Sequence, residues 1–280
     1  DYIYKGSASV ADGKFTFKFR VGSDILDNGG TGLINVYVND LTDATAAFGE
    51  CNSILFTGVE EAKNDGEGPD IDAWLNTPSF VNGGTVGTTP YLYVTLSDKD
   101  GLDVMGNTVG HNLEVVVDDE VSKTYNLNDY FVFADGSYTD GTAHYVLPTL
   151  SAGYHTLRFR AWDLLGNMST KVINFNVDPS MKPTIRDVLV APNPVHGTAS
   201  FYIYHDFQGS NAEIDIDIID TAGRIVQTHT WNQQLGTQEG RTILQWNPSS
   251  VANGLYLYRI RLTCNGVNYS SKTKKLIVAQ

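Results

Sequence analysis

Three carboxylates fall within six residues in Ser97-Asp98-Lys99-Asp100-Gly101-Leu102-Asp103. Asp98, Asp100 and Asp103 are oxygen ligands of the kind that a hard cation such as calcium takes. The spacing is not that of an EF-hand, whose fifth position would be Leu102 and whose bidentate glutamate position would be Val109. A plain hairpin turn bent at Asp100-Gly101 explains the same residues, and is the simpler expectation. Asn64-Asp65-Gly66-Glu67-Gly68-Pro69-Asp70 leaves the same two alternatives open, so a structural calcium is the one cofactor the sequence admits.

Nucleophilic chemistry needs a serine or cysteine with a base placed beside it. Cys51 precedes an apolar stretch and Cys264 ends a strand next to an Asn-Gly turn; neither has a flanking motif that activates a thiol. No GxSxG or HExxH occurs. The histidines at 111, 144, 155, 196, 205 and 229 show no i, i+2 or i, i+4 pair that would clip a metal. Trp74, Trp162, Trp231 and Trp246, with fifteen tyrosines, could line a carbohydrate platform, but strands bury aromatics and a core role is the expectation. The remaining cluster is cationic: Lys272, Lys274 and Lys275 precede Leu276-Ile277-Val278. Lysines on an edge strand block aggregation, and they also pair with acidic groups on a partner.

The elements that must position these residues are strands. Lys14–Val21 alternates Phe15, Phe17, Phe19 and Val21 against Lys14, Thr16, Lys18 and Arg20, the period of a half-buried strand. The same pattern runs through 33–38, 91–96, 113–117, 156–162, 172–177, 199–204, 213–219, 255–262 and 274–278. In 213–219, isoleucines 214, 216 and 218 alternate with acids, so one face is expected to meet water. Turn residues separate the runs at Asp12-Gly13, Asn28-Gly29-Gly30, Asn82-Gly83-Gly84, Asp100-Gly101, Gly166-Asn167, Ala222-Gly223 and Asn265-Gly266. Only Thr42–Phe48 hints at a short helix. Many short strands with almost no helix imply an all-β chain of antiparallel sandwiches.

The 280 residues carry 32 acidic and 19 basic side chains, a net charge of −13, which argues against nucleic acid and anionic membrane surfaces as partners. At 11% aromatic and 18% charged residues the chain is not disordered, and it lacks a run of ~18 apolar residues that would span a membrane. It is expected to be soluble. It begins at Asp1 without a signal-peptide pattern, as a processed or excised piece would. Asp178-Pro179-Ser180-Met181-Lys182-Pro183 reads as a linker after a finished strand. The expected domains are a small β unit at 1–62, the tail of an upstream domain; a sandwich at 63–178; a linker at 179–183; and a last domain at 184–280.

Gly153–Val177 resembles the closing hairpin of a bacterial immunoglobulin-like domain, with Ala161-Trp162-Asp163 ending one strand and Gly166-Asn167 in the turn. The tail opens with Ala191-Pro192-Asn193-Pro194. It continues through Asp220-Thr221-Ala222-Gly223-Arg224-Ile225-Val226 and Gly254-Leu255-Tyr256, and closes on Lys274-Lys275-Leu276-Ile277-Val278. That order resembles the C-terminal sorting domain of type IX secretion cargo in Bacteroidetes, a seven-stranded sandwich recognised at the outer membrane. Gly68–Asn76, Phe80–Gly84, Gly110-His111-Asn112, Tyr125–Phe131 and His155-Thr156-Leu157 resemble the PorU-type sortases of that system.

Several expectations follow from the resemblance. The chain would be a non-catalytic C-terminal part, since the gingipain-like cysteine peptidase domain lies upstream of these modules in the family and nothing here resembles it. The parent would cleave sorting domains from cargo and join the new carboxyl end to a surface lipopolysaccharide. The sorting domain would be retained, would stand at the cell surface, and would engage an outer-membrane β-barrel shuttle protein through Lys272, Lys274, Lys275, Leu276, Ile277 and Val278. Two alternatives remain open: the C-terminal part of another secreted Bacteroidetes enzyme or adhesin, or a carbohydrate-binding sandwich joined to a sorting domain.

Overall fold

Period-two sequence becomes strand because alternate side chains then share one face that can be buried. The computed structural model describes residues 2–22, 31–39, 46–55, 63–207, 210–235 and 241–280, and in them the pattern is realised as twenty strands and two single-turn 3-10 segments. The chain divides into two compact units, 1–179 and 180–280.

In the first unit, β1 (Thr31–Asn39) and β2 (Ala46–Leu55) form a separate antiparallel hairpin. Two sheets make the sandwich. One runs in the order β3 (Asp70–Leu75), β5 (Tyr91–Ser97), β10 (Asp140–Val146), β9 (Phe131–Phe133). The other runs β4 (Thr85–Val86), β12 (Met168–Val177), β11 (Gly153–Asp163), β7 (Glu114–Val117), β8 (Thr124–Asn126), with β6 (Leu102–Asp103) also on β11. All pairings are antiparallel except β4 with β12. Leu92, Val94 and Leu96 of β5 face Leu157, Phe159 and Ala161 of β11 in one core, each nearly or fully buried. Burial of a side chain of the leucine or phenylalanine class contributes about 1.5–3 kcal/mol.

In the second unit, β13 (Ile185–Ala191), β14 (Ala199–His205) and β17 (Arg241–Trp246) form one sheet. The other has the order β16 (Ile225–Gln234), β15 (Asn211–Ile219), β18 (Gly254–Cys264), β19 (Val267–Ser270), and β20 (Lys274–Val278) pairs with the first half of β18. Phe201, Ile216, Trp246, Tyr258 and Leu276 meet between the sheets. Trp246 is therefore core, whereas Trp74, Trp162 and Trp231 are half-buried.

Two expectations are corrected. The Asp12-Gly13 turn forms, with Ala11 and Lys14 exchanging main-chain bonds of 2.9 and 3.0 Å, but Phe15–Val21 joins no ladder. Its phenylalanines do share a face, stacking on one another and on Tyr4, whose ring lies 5.2 Å from that of Phe133. Alternation selects an apolar face but does not supply a hydrogen-bonding neighbour. Thr42–Phe48 is not a helix where it is described, since Ala46–Phe48 open β2; residues 42–45, like Asn28-Gly29-Gly30, lie outside the described residues. Residues 2–22 lie against the 63–178 sandwich. Tyr4 donates its hydroxyl to Ser137 O at 2.7 Å, Gly136 N–H donates to Ser7 O, and Arg20 pairs with Asp100 at 2.9 Å. No helix among the described residues is long and apolar enough to cross a membrane.

Candidate functional site

The acidic loops converge, although not as the linear spacing suggests. Gly101 makes the bend at φ +96°, a conformation that favours glycine, and Asp100 N–H donates to Asp98 Oδ1 at 2.7 Å. Carboxylate oxygens of Asp65, Asp100 and Asp163 lie within 4.8 Å of one another. Asp163 is fully buried and fixed by the main-chain N–H groups of Leu165 and Asn167 and by the Asn167 amide. Lys99 pairs with Asp65 and Arg20 with Asp100, so two cations already neutralise part of the cluster. Burial pushes the Asp98 carboxyl up, and the neighbouring Asp163, Asp100 and Asp65 charges add to that against the bond from Asp100 N–H. Asp103 stands apart, paired with His111 at 3.3 Å. The contribution of Asp163 was invisible in sequence because it comes from the far end of β11.

The nucleophile candidates are dispersed. Cys51 is exposed on β2, 3.7 Å from the Ser53 hydroxyl, and Cys264 is buried in the other unit; both are free thiols. His155 bonds Asp118 Oδ2 at 2.8 Å on one side of its ring and the main-chain oxygen of Ser151, not a hydroxyl, at 2.9 Å on the other.

The last strand is where sequence motifs from opposite ends of the second unit meet. Leu276 and Val278 point into the core, while Lys275 and Ile277 point outward. Of the three lysines, Lys274 is spent on an ion pair with Asp187 at 2.6 Å, and Lys272 and Lys275 are exposed. The Asn193 side chain lies along the outer edge of β20, donating from Nδ2 to Lys275 O at 3.2 Å and accepting from Ile277 N–H at 2.9 Å. Val195 continues the edge, its N–H donating to Ile277 O and its carbonyl accepting from Ala279 N–H, both at 2.8 Å. Gln280 is bound in turn to Asn253, Pro248 and Val251.

Beside this strand the outer face of β15 and β18 departs from the expected water-facing acids. Asp217 is fully buried, held by Arg259 and Arg261 at 2.8 Å and by the Thr228 hydroxyl at 2.8 Å. Burial alone would raise its pKa; the bonds from Arg261, Arg259 and Thr228 outweigh it and hold the carboxyl at about 2.

Residues 189–279 match the family of the secretion system C-terminal sorting domain. No match was found among curated proteins. Among solved structures, dimeric latent PorU from Porphyromonas gingivalis aligns over 93% of this chain at 30% identity, with a TM-score of 0.55. The alignment takes in 25% of PorU, so this chain spans about a quarter of that protein's length. A tetra-tandem repeat from the extending region of a large adhesion protein aligns over 95% of this chain and 61% of its own, at 18% identity and a TM-score of 0.27. The N-terminal Ig1-2 module of the Drosophila receptor protein tyrosine phosphatase DLAR aligns over 76% and 99%, at 12% and 0.26. Both of the latter likenesses are too slight to bear on function. The chain is therefore a tandem of antiparallel β-sheet units, similar over most of its length to part of PorU, whose residues 189–279 belong to the family of the secretion system C-terminal sorting domain.

Proposed function

We propose that this chain is the non-catalytic C-terminal region of a type IX secretion sortase. In this reading residues 1–178 support and space an upstream gingipain-like cysteine peptidase of the same parent chain. Residues 184–280 serve for export and for docking to an outer-membrane β-barrel shuttle protein, so the parent stands at the cell surface. The observation that carries it is the coincidence, in one chain, of a sorting-domain match at 189–279 with 30% identity to PorU across 93% of the length. The interlock of β20 with Asn193 and Val195 supports it physically, because the two motifs that mark the sorting domain are one structural piece. The test is deletion of Lys272–Gln280 in the parent. Loss of export and of co-purification with the barrel is expected, and normal export would overturn the sorting role.

A further inference from the structure

The two units differ sharply in charge. The first carries 25 acidic and 10 basic side chains, the second 7 acidic and 9 basic. Within the second unit, every described aspartate is met by a base of the same unit: Asp187 by Lys274, Asp206 by Arg186, Asp215 and Asp217 by Arg261 and Arg259, and Asp220 by Arg224. Among the described residues Lys182, Lys272 and Lys275 have no such acid, and Lys182 lies apart from the other two, before β13. Two exposed cations without an acid partner therefore sit at the start of β20.

That position borders a groove. An open cleft of about 440 Å³ runs between β13 and β20, with Leu189, Val190, Leu257 and Tyr258 as its apolar wall and Lys275 on its rim. The edge of β20 itself is closed. From Lys275 O to Ala279 O the outward main-chain groups are taken by Asn193, Val195 and the His196 ring, so no row of free N–H and C=O groups remains there for an added strand.

Resting on the reading of this unit as a docking domain, we propose that the β13–β20 groove is where it takes a partner. The occupant is an extended acidic and apolar segment of a protein, held by side chains and not by strand addition to β20. Apolar residues of the segment would cover Leu189 and Leu257, and its carboxylates would face Lys275 on the rim and Lys272 three residues before it, neither of which is paired with an acid among the described residues. Charge complementarity selects the occupant: a basic or neutral segment would leave both lysines unmatched.

The test uses the whole chain and a short fluorescein-labelled peptide of alternating glutamate and valine, with its lysine–valine counterpart as control, followed by fluorescence anisotropy. Saturable binding of the acidic peptide is expected, weakened by at least about tenfold in the double variant Lys272→Glu/Lys275→Glu and by added salt. Leu189→Asp, at a position already 44% exposed, should weaken it as much while leaving the thermal midpoint in place. Asn193→Ala should not tighten it. No binding, equal binding of the basic peptide, indifference to both variants, or tighter binding to Asn193→Ala would each overturn the proposal. So would a dimer of this chain that the lysine variant abolishes, because the occupant would then be a second copy. In the parent, normal barrel co-purification of the groove variants alongside failure of the Lys272–Gln280 deletion removes the groove and leaves the docking role intact. Normal behaviour of the deletion removes the docking role itself.

Discussion

Two buried polar residues of the second unit make its stability pH-dependent in separate windows. His205 is fully buried, accepts the Phe207 N–H at Nδ1, and must therefore carry its proton on Nε2, which donates to Thr242 Oγ1 at 2.8 Å. A second proton has no acceptor at Nδ1. Burial, with the nearby Arg186 charge, lowers its pKa to about 4. The unfolded chain then binds the extra proton first, so stability present above pH 6.5 is lost as pH falls towards 4, by up to about 3 kcal/mol. Asp217 acts lower down. With its pKa depressed to about 2, its contribution is present above the ordinary carboxylate range and lost as pH falls from about 4 to 2. Because both arginines reach solvent, that contribution is about 1–2 kcal/mol. Amide exchange of β14 and β15 across pH should show both steps; His205→Gln should flatten only the upper one and Asp217→Asn only the lower. Asp217→Ala should cost about 1–2 kcal/mol at neutral pH, since it leaves Arg259 without its carboxylate and Arg261 with Asp215 alone, both guanidinium groups still reaching solvent. A cost near zero would mean water already screens the clamp.

At the scale of the element, an asparagine replaces a strand. Its amide supplies one donor and one acceptor at the spacing of an edge residue, so Asn193→Ala should leave Lys275 O and Ile277 N–H unpartnered and cost about 1–2 kcal/mol. Exchange at the Ile277 amide should accelerate while Leu276, bonded on the β18 side, keeps its protection. Equal acceleration of both would show that the whole strand had detached. The N-terminal arm behaves differently, because side chains and scattered main-chain bonds hold it without a ladder. Tyr4→Ala removes the ring under Phe17 and Phe19 and the bond to Ser137. Trypsin should then cut at Lys14 and Lys18 well before it attacks the sandwich. An unchanged digestion pattern would assign the arm's attachment to Arg20–Asp100 and Ser9–Asp135 instead.

At the scale of the molecule, the two units have separate cores, and the segment joining them carries two prolines around Ser180-Met181-Lys182. Limited proteolysis should nick within 179–183 and leave a stable fragment of about 100 residues, a normal domain size. Collapse of both halves after the cut would mean that neither folds without the other. The chain should also fail to cleave or transfer arginyl and lysyl peptides under reducing conditions, since Cys51 sits exposed beside a serine and Cys264 is sealed in a core. Turnover lost on Cys51→Ala or Cys264→Ala would refute that.

The sequence by itself determined what depends on local chemistry. Alternation placed Leu92, Val94 and Leu96 on one face of a strand, Asp100-Gly101 made a turn, and the order of PNP, D-x-x-G-R and lysine-flanked motifs carries the resemblance to a sorting domain. Only the tertiary structure decided which elements became neighbours. Lys14–Val21 has the period of a strand yet found stacking partners instead of a ladder, because periodicity encodes a face and pairing depends on what another segment offers. Asp163 entered the acidic cluster and Asp103 left it because ligand geometry is set across strands, not along six residues. Asp217 was buried despite its alternating acids because two arginines of β18 closed over it. Lys274 lost its freedom to Asp187, and Asn193 closed the edge of β20 from more than eighty residues away, a separation at which sequence pattern carries no distance information.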